Sequence, residues 1–205
     1  MNSGRVPALE LCNVCKTFGG LKATDNISIE VKEHEIYGII GPNGAGKTTL
    51  FNLITGVVPL SSGQIKVFGQ DISNLRADKI CKVGVARTFQ NIRLFNSATI
   101  MENLMIACQQ TIQYSAIQGC LRTKQFRKEE HGAQERCRNI LEKFGLLEYK
   151  DFTASKLPYG SQRRVEIMRA LMTDPKVLLL DEPAAGMNEE ETATLAAMIK
   201  YLQKE

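Results

Sequence analysis

Two short stretches near the N-terminus alternate between apolar and polar residues. Residues 9–14 and 27–31 follow this period of two, which is typical of strands with one buried face. Residues 35–40 are more continuously apolar and predict a central strand covered on both faces. Further short strands are predicted at residues 64–68, 85–89 and 177–181.

Apolar residues recur with helical spacing between and after these strands. A helix is predicted from residue 48 to about residue 56, with Leu50, Leu53 and Ile54 on one face. The long stretch from about residue 98 to residue 155 also has helical character. It separates the N-terminal strands from the strand at 177–181.

The C-terminal part of the chain predicts two more helices. One covers residues 160–172, and the last begins after Asn188, a favourable N-cap residue. Glu191 stands at the capping-box position, and acidic residues in the first turn favour the positive end of the helix dipole.

Apolar strands separated by helices predict an α/β fold with a mainly parallel core sheet covered by helices. The N-terminal strands are expected to be antiparallel additions to that sheet. We expect a core domain formed by residues 8–90 and 161–205. Residues 91–160 are expected to form an inserted helical subdomain.

Composition narrows the class of protein only moderately. The chain has 205 residues, of which 43% are hydrophobic and 23% charged, as in ordinary globular proteins. No run of 18 apolar residues and no secretory signal are present, so a cytosolic chain is expected. Cys12 and Cys15 have the spacing of a zinc or redox pair but lack a second pair, so we interpret the cysteines as reduced thiols and expect no structural metal.

A charged stretch at residues 122–138 is rich in Arg, Lys, Glu and Gln. A nucleic-acid surface would carry interleaved aromatic residues, and Phe126 is alone there. With a net charge of only +4, the stretch is interpreted as a solvated helix face or connector, and no nucleic-acid partner is expected.

A phosphate-binding loop joins the predicted strand at 35–40 to the helix that follows. Gly41-Pro42-Asn43-Gly44-Ala45-Gly46-Lys47-Thr48 matches the P-loop pattern, in which glycines let backbone N–H groups turn toward phosphate oxygens. Lys47 is expected to reach the β- and γ-phosphates, and Thr48 to ligate Mg²⁺. ATP and Mg²⁺ are the cofactors that this motif predicts.

Two carboxylates end the apolar strand at 177–181. Asp181 and Glu182 would lie at the carboxyl edge of the sheet, where ligands of open α/β sheets bind. Asp181 is expected to hold Mg²⁺, directly or through water. Glu182 is expected to orient and polarise the attacking water as general base. A polar strand end before a turn is the alternative for this pair.

With these motifs, the chain resembles the ATP-binding cassette (ABC) ATPases of the P-loop NTPase class over residues 8–205. Residues 157–167 resemble the signature loop and helix, which in that family cap the γ-phosphate bound by a partner subunit. Pro158 replaces the commoner serine, and a proline-containing turn that starts a helix is the alternative. Gln90 matches the family's Q-loop glutamine, which contacts Mg²⁺ and water, and Asn188 stands where the D-loop commonly has Asp.

The resemblance implies a set of site residues. Phe18 matches the aromatic that stacks on adenine, although an ordinary turn or core aromatic is an alternative there. The implied catalytic residues are Glu182, Gln90 and Lys47, and the implied metal ligands are Thr48, Gln90 and Asp181. The implied nucleotide-binding residues are Phe18, Gly41, Pro42, Asn43, Gly44, Ala45, Gly46, Lys47, Thr48, Thr49, Tyr159, Gly160 and Ser161.

Residues 84–95, 157–160 and 181–188 resemble most the ATPases of bacterial branched-chain amino acid importers, the LivG type. The resemblance implies import energised by ATP hydrolysis at the cytoplasmic face of the bacterial inner membrane. The implied partners are permease subunits, a second identical or paralogous ATPase and, indirectly, a periplasmic binding protein. Related cassettes power urea import and lipopolysaccharide export, so the solute is an inference from this resemblance.

The family places a switch histidine on a strand after the last helix predicted here, and neither His34 nor His131 stands near that position. We therefore expect a C-terminally truncated cassette that binds nucleotide and hydrolyses it poorly. Two other functions stay open at this point. One is a soluble cassette protein of DNA repair or translation, and the other is a nucleotide-binding remnant.

Overall fold

A computed structural model describes residues 6–111 and 121–204. They divide into two compact units. The first unit comprises the residues up to Arg87, residues 176–181 and the residues from Ile199 onward, and the second comprises residues 88–175 and 182–198. This division differs from the expected domains at 161–175 and 182–198, and the domain boundaries stay a prediction.

The first unit contains a four-stranded antiparallel sheet. Its strands are β1 (Leu9–Phe18), β2 (Leu21–Val31), β3 (Ser62–Val67) and β4 (Gln70–Asp71), in the order β2-β1-β3-β4. The strand predicted at 9–14 is confirmed, and Leu9 and Leu11 are buried as the alternation predicts. A register shift between Leu11 and Val14 then breaks the alternation, so that Val14 is buried and Asn13 is exposed.

The same unit contains a parallel pair of strands and two helices. Strand β5 (Val85–Arg87) pairs with β6 (Val177–Leu179), so that Arg87 lies opposite Leu179. Helix α1 (Lys47–Ile54) buries Leu50, Leu53 and Ile54, as its periodicity predicts, and α2 (Ala77–Val83) leads into β5. These apolar side chains and those of the antiparallel sheet form one hydrophobic cluster.

The second unit is helical. It contains α3 (Ile100–Cys108), α4 (Lys124–Lys143), α5 (Tyr159–Leu171) and most of α6 (Glu189–Leu202). Helix α4 covers most of the charged stretch at 122–138, and its buried residues Ala133, Cys137 and Leu141 all lie on one face. Part of the predicted helical block and Cys120 fall on residues 112–120, outside the described residues.

The predicted central strand at 35–40 is not a strand, and this expectation was wrong. Among the described residues no strand pairs with it, and three of its apolar residues are exposed: Ile36 by 52%, Tyr37 by 47% and Ile40 by 97%. Ile39 is half-buried and packs against the hydrophobic cluster. An apolar run predicts burial, but a strand forms only where a neighbour satisfies its backbone N–H and C=O groups.

The parallel part of the sheet is smaller than predicted. Within residues 6–111 and 121–204, parallel pairing is confined to β5 and β6, and both strands end two residues before the predicted ends at Phe89 and Asp181. The α/β class is confirmed by its mixture of helices and strands. In the described part of the chain, every helix is too short or too polar to span a membrane.

The cysteines described by the structure make separate contacts. The Cys12 thiol donates to Glu10 at 3.4 Å, whereas the Cys15 sulfur accepts the Asn26 N–H at 3.1 Å. The buried thiols of Cys108 and Cys137 lie 3.6 Å apart between α3 and α4. The hydrogen bond to Cys137 lowers the pKa of Cys108 to about 7.

Candidate functional site

The loop at residues 41–48 has the backbone that a phosphate cradle needs. Gly44 and Gly46 have φ angles of +83° and +84°, the left-handed region that glycine adopts without strain. A Cβ at Gly46 would lie 2.3 Å from the Ala23 carbonyl oxygen in β2, so only glycine fits there. Helix α1 starts at the next residue, so the loop ends at a helix N-terminus, which favours anions.

The first three residues of this helix, Lys47, Thr48 and Thr49, have polar side chains. The Lys47 ammonium group donates to the carbonyl oxygens of Gly41 and Pro42, at 2.6 and 2.9 Å, so its charge lies over the loop. Thr48 and Thr49 follow in the first turn of α1, with Thr48 exposed and Thr49 half-buried. The loop thus combines a cation, a hydroxyl group and a helix N-terminus, which is the chemistry of a polyphosphate site.

Asp181 lies in the same unit as the loop and is held by a buried guanidinium. Arg87 donates to the Asp181 carboxylate at 2.8 Å and to the Asn52 side-chain oxygen at 2.6 Å. The Arg87 and Asp181 side chains are only 5% and 9% exposed. Because β5 and β6 are adjacent parallel strands, this pair joins their carboxyl ends to helix α1, on which Asn52 lies.

Gln90 and Glu182, both in the second unit, contact each other directly. The Gln90 amide nitrogen donates to a Glu182 carboxylate oxygen at 2.9 Å, although 92 residues separate them in the chain. Glu182 has a φ of +45°, an uncommon conformation for a residue with a side chain. Such strain persists only where the surrounding structure holds it, and it concentrates at functional sites.

The signature-like residues open helix α5 in the second unit. Pro158 is the N-cap residue and gives no side-chain hydrogen bond to the first turn, which Tyr159 and Gly160 begin. The Gly160 N–H donates to the Glu191 carboxylate at 3.2 Å. Glu191 also forms the predicted capping box with Asn188, which is confirmed by bonds of 2.9 and 3.1 Å.

Ser161 is tied to the next residues of the same helix. Its hydroxyl accepts a hydrogen bond from Arg164 at 3.1 Å. Burial lowers the pKa of Arg164, and the nearby Glu191 partly offsets this, but the guanidinium stays charged because the pKa of arginine lies far above neutral. The Glu191 carboxylate therefore already binds at the N-terminus of α5, near the Arg164 guanidinium.

Glycine is required at position 160 because a larger side chain would not fit, and not because the backbone has a positive φ angle. A Cβ there would lie 2.5 Å from a Glu191 carboxylate oxygen. We expect Gly160→Ala to push Glu191 away, to lower the free energy of unfolding by about 1 kcal/mol through the lost cap, and to weaken anion binding at this end of α5. Urea denaturation and binding of an ATP analogue measure the two effects.

Gly132→Ala in helix α4 is the matched control. A Cβ at Gly132 meets no atom of residues 6–111 and 121–204 within 4 Å, so this change should be neutral or stabilising by up to about 1 kcal/mol. Equal effects of the two substitutions would contradict the role given to Gly160.

Phe18 is placed at the end of β1 in the first unit. The residue is 48% exposed, and the Lys16 ammonium group lies 4.9 Å from the centre of its ring. Phe18 is therefore not a core aromatic, because the side chain of a core aromatic would be buried.

The structure adds site residues that the sequence did not reveal. The sequence did not predict the roles of Arg87 and Asn52 or the contact of Glu191 with Gly160, because each depends on residues far apart in the chain. Arg87 had one usable signal: a lone arginine in an apolar strand is rarely buried without an anionic partner.

Comparison with known proteins agrees with this chemistry. The family model of ABC transporters matches residues 24–185. The high-affinity branched-chain amino acid transport ATP-binding protein LivG of Salmonella typhimurium is 44% identical over 197 residues, covering 96% of this chain and 77% of LivG. BraF of Pseudomonas aeruginosa, of the same description, is 43% identical and covers 97% of this chain and 78% of BraF.

A solved structure is also similar. The crystal structure of a nucleotide-free ATP-binding cassette from an ABC transporter superposes with a TM-score of 0.81 at 34% identity, covering 97% of this chain and 78% of that one. The family match over most of the chain, together with the phosphate loop and the paired Gln90 and Glu182, gives one conclusion. The chain belongs to the ABC transporter family, as one of its ATP-binding ATPase domains.

Proposed function

We propose that the chain hydrolyses Mg-ATP to energise the import of branched-chain amino acids through a membrane permease. The substrate class is supported by the names of LivG and BraF, the relatives of 44% and 43% identity. The permease and a periplasmic binding protein would determine which solute is transported. The ATPase would act at the cytoplasmic face of the bacterial inner membrane.

The observation that carries the hydrolytic part is the 2.9 Å hydrogen bond between Gln90 and Glu182. Glu182 accepts protons and is positioned by a donor, as a general base requires. In this role Glu182 takes a proton from the water that attacks the γ-phosphate. The Gln90 amide keeps the carboxylate oriented while its own oxygen stays available for a hydrated cation.

Mg²⁺ fits the donor set in this chain. The Thr48 hydroxyl, the Gln90 amide oxygen and the Asp181 carboxylate are the hard oxygen ligands that Mg²⁺ prefers. Arg87 fixes one oxygen of Asp181, which limits the positions the carboxylate can take. When bound, the ion would neutralise charge on the phosphates, while Lys47 and the residues of 41–48 hold them.

Two macromolecular partners complete the proposal. A second ATPase copy would receive Tyr159, Gly160 and Ser161 at its nucleotide. For the permease, the second unit offers an open surface depression of about 490 Å³ whose lining includes Met105, Ile106, Glu102 and Glu130. Two apolar and two acidic side chains favour a segment that carries apolar and basic residues.

Reconstitution with a branched-chain amino acid permease tests the proposal. We expect the complex in vesicles to hydrolyse ATP faster when a leucine-loaded binding protein is added outside, and to accumulate leucine. A parallel reconstitution with a lipopolysaccharide exporter's membrane subunits should give no stimulation. Stimulation only in the parallel arm, or stable association with neither permease, would overturn the proposal.

Adenine stacking on Phe18 gives a separate prediction. We expect Phe18→Ala to raise the Kd for ATP about tenfold, since base–aromatic stacking contributes about 1–3 kcal/mol. Titration with a fluorescent ATP analogue measures this. Leu21→Ala, at the other side of the same hairpin and 71% exposed, is the control and should leave the Kd unchanged. An unchanged Kd in Phe18→Ala would remove Phe18 from the site.

A further inference from the structure

Helix α5 contains a fully buried ion pair in its middle. The Arg163 side chain is 0% exposed and that of Glu166, three residues later, is 2% exposed. A guanidinium nitrogen of Arg163 donates to Glu166 at 2.7 Å. Both residues belong to the second unit, as do all the contacts described next.

This pair binds the segment 89–93, which contains Gln90. Arg163 donates to the carbonyl oxygens of Phe89 and Gln90, each at 2.6 Å. The second oxygen of Glu166 accepts the Arg93 N–H at 3.2 Å. The segment is therefore attached to α5 at both ends by one planar guanidinium and one carboxylate.

The segment lies just after strand β5. Strand β5 ends at Arg87, so the carbonyl groups of Phe89 and Gln90 lie beyond the parallel ladder. The buried Arg163 guanidinium needs acceptors, and its planar fork can donate to both carbonyl groups at a fixed spacing. The stacking of Arg93 on the Phe89 ring, at 4.1 Å, folds the segment further.

Stability alone does not account for this pair. Replacing a buried ion pair by apolar residues is often neutral or stabilising, so such a pair is weak evidence for a stabilising role. The neighbouring Val165, Ile167 and Met168 are fully buried apolar residues, so the helix packs without it. What the pair adds is the position of the backbone at Gln90.

We infer that Arg163 and Glu166 are positioning residues for Gln90, coupling helix α5, and the signature-like residues at its start, to the Gln90–Glu182 contact. The inference rests on the proposed role of Gln90 in hydrolysis. A shift of α5 then carries the Gln90 backbone with it. Helix α5 would contact the nucleotide of a partner ATPase. Its position is thereby linked to the orientation of Glu182, the general base.

The test replaces both members, Arg163→Met with Glu166→Leu, so that no buried charge is left unpaired. We expect folding to be retained, kcat for ATP to fall by up to about 100-fold and KM to change little, because misplacement affects the reacting groups. Hydrogen exchange should be faster in the peptide containing residues 88–95 and unchanged in β1. Arg138→Met, at an exposed position on α4, is the matched control and should change neither measurement.

A double-mutant cycle that combines this double replacement with Gln90→Ala separates the inference from the proposed function. If Arg163 and Glu166 act through Gln90, the double replacement should cause no further loss of kcat in the Gln90→Ala background. Additive losses, or normal kcat and normal exchange at 88–95 in the double variant, would overturn the inference. A normal kcat in Gln90→Ala would instead refute the role of Gln90, while hydrogen exchange would still report whether the pair holds the segment.

Discussion

Glu182→Gln is expected to lower ATP hydrolysis at least about 100-fold while ATP binding is retained. General bases contribute about 10²- to 10⁴-fold to rates, and the amide cannot accept the proton of the attacking water. The side chain keeps its shape, and an amide oxygen can still accept the hydrogen bond that Gln90 donates at 2.9 Å. Single-turnover hydrolysis of labelled ATP measures the rate, and gel filtration with Mg-ATP measures formation of a dimer with trapped nucleotide.

Glu189→Gln is the control for this change. Glu189 is exposed in the first turn of α6, seven residues from Glu182, and undergoes the same chemical substitution. It should keep the wild-type rate and lose at most about 1 kcal/mol of helix-dipole stabilisation. If Glu182→Gln hydrolyses ATP as fast as Glu189→Gln, another residue is the base.

Arg87→Met is expected to lower the free energy of unfolding by about 3–5 kcal/mol. The substitution leaves the Asp181 carboxylate, 9% exposed, without its cation in the interior of the first unit. It also removes the donor to Asn52, and with it the connection to α1. Urea denaturation measures the loss, and a higher Mg²⁺ concentration for half-maximal ATP binding should accompany it.

An exposed pair provides the control for Arg87. Arg76 forms an ion pair with Asp78, but the two side chains are 89% and 56% exposed. Arg76→Met should therefore cost less than about 1 kcal/mol. A loss in Arg87→Met as small as that in Arg76→Met would show that Asp181 does not depend on Arg87.

Local motifs could be predicted because their chemistry lies within a few consecutive residues. The positive φ angles at Gly44 and Gly46 follow from the glycines of the loop, and the Asn188–Glu191 capping box follows from a spacing of three. The buried face of α1 follows from helical periodicity alone. In each case neighbours in sequence are also neighbours in space, so one pattern determines the contact.

The strand predicted at 35–40 shows where such patterns fail. Its apolar residues are those of a buried strand, yet Ile40 is 97% exposed and, among the described residues, no strand pairs with the segment. Strand formation depends on a partner that satisfies the backbone, and no property of the six residues supplies one.

The sequence by itself determined the phosphate loop, the helix that follows it, the cap of the last helix and the identity of the acidic residues after β6, because side-chain chemistry and spacing express these directly. Only the tertiary structure decided that Arg87 holds Asp181, that Gln90 binds Glu182 and that Arg163 clamps the backbone of Phe89 and Gln90. Each of these contacts joins residues 73 to 94 positions apart. Chain topology brings them together, because β5 and β6 are paired. The buried guanidinium groups of Arg87 and Arg163 also require acceptors.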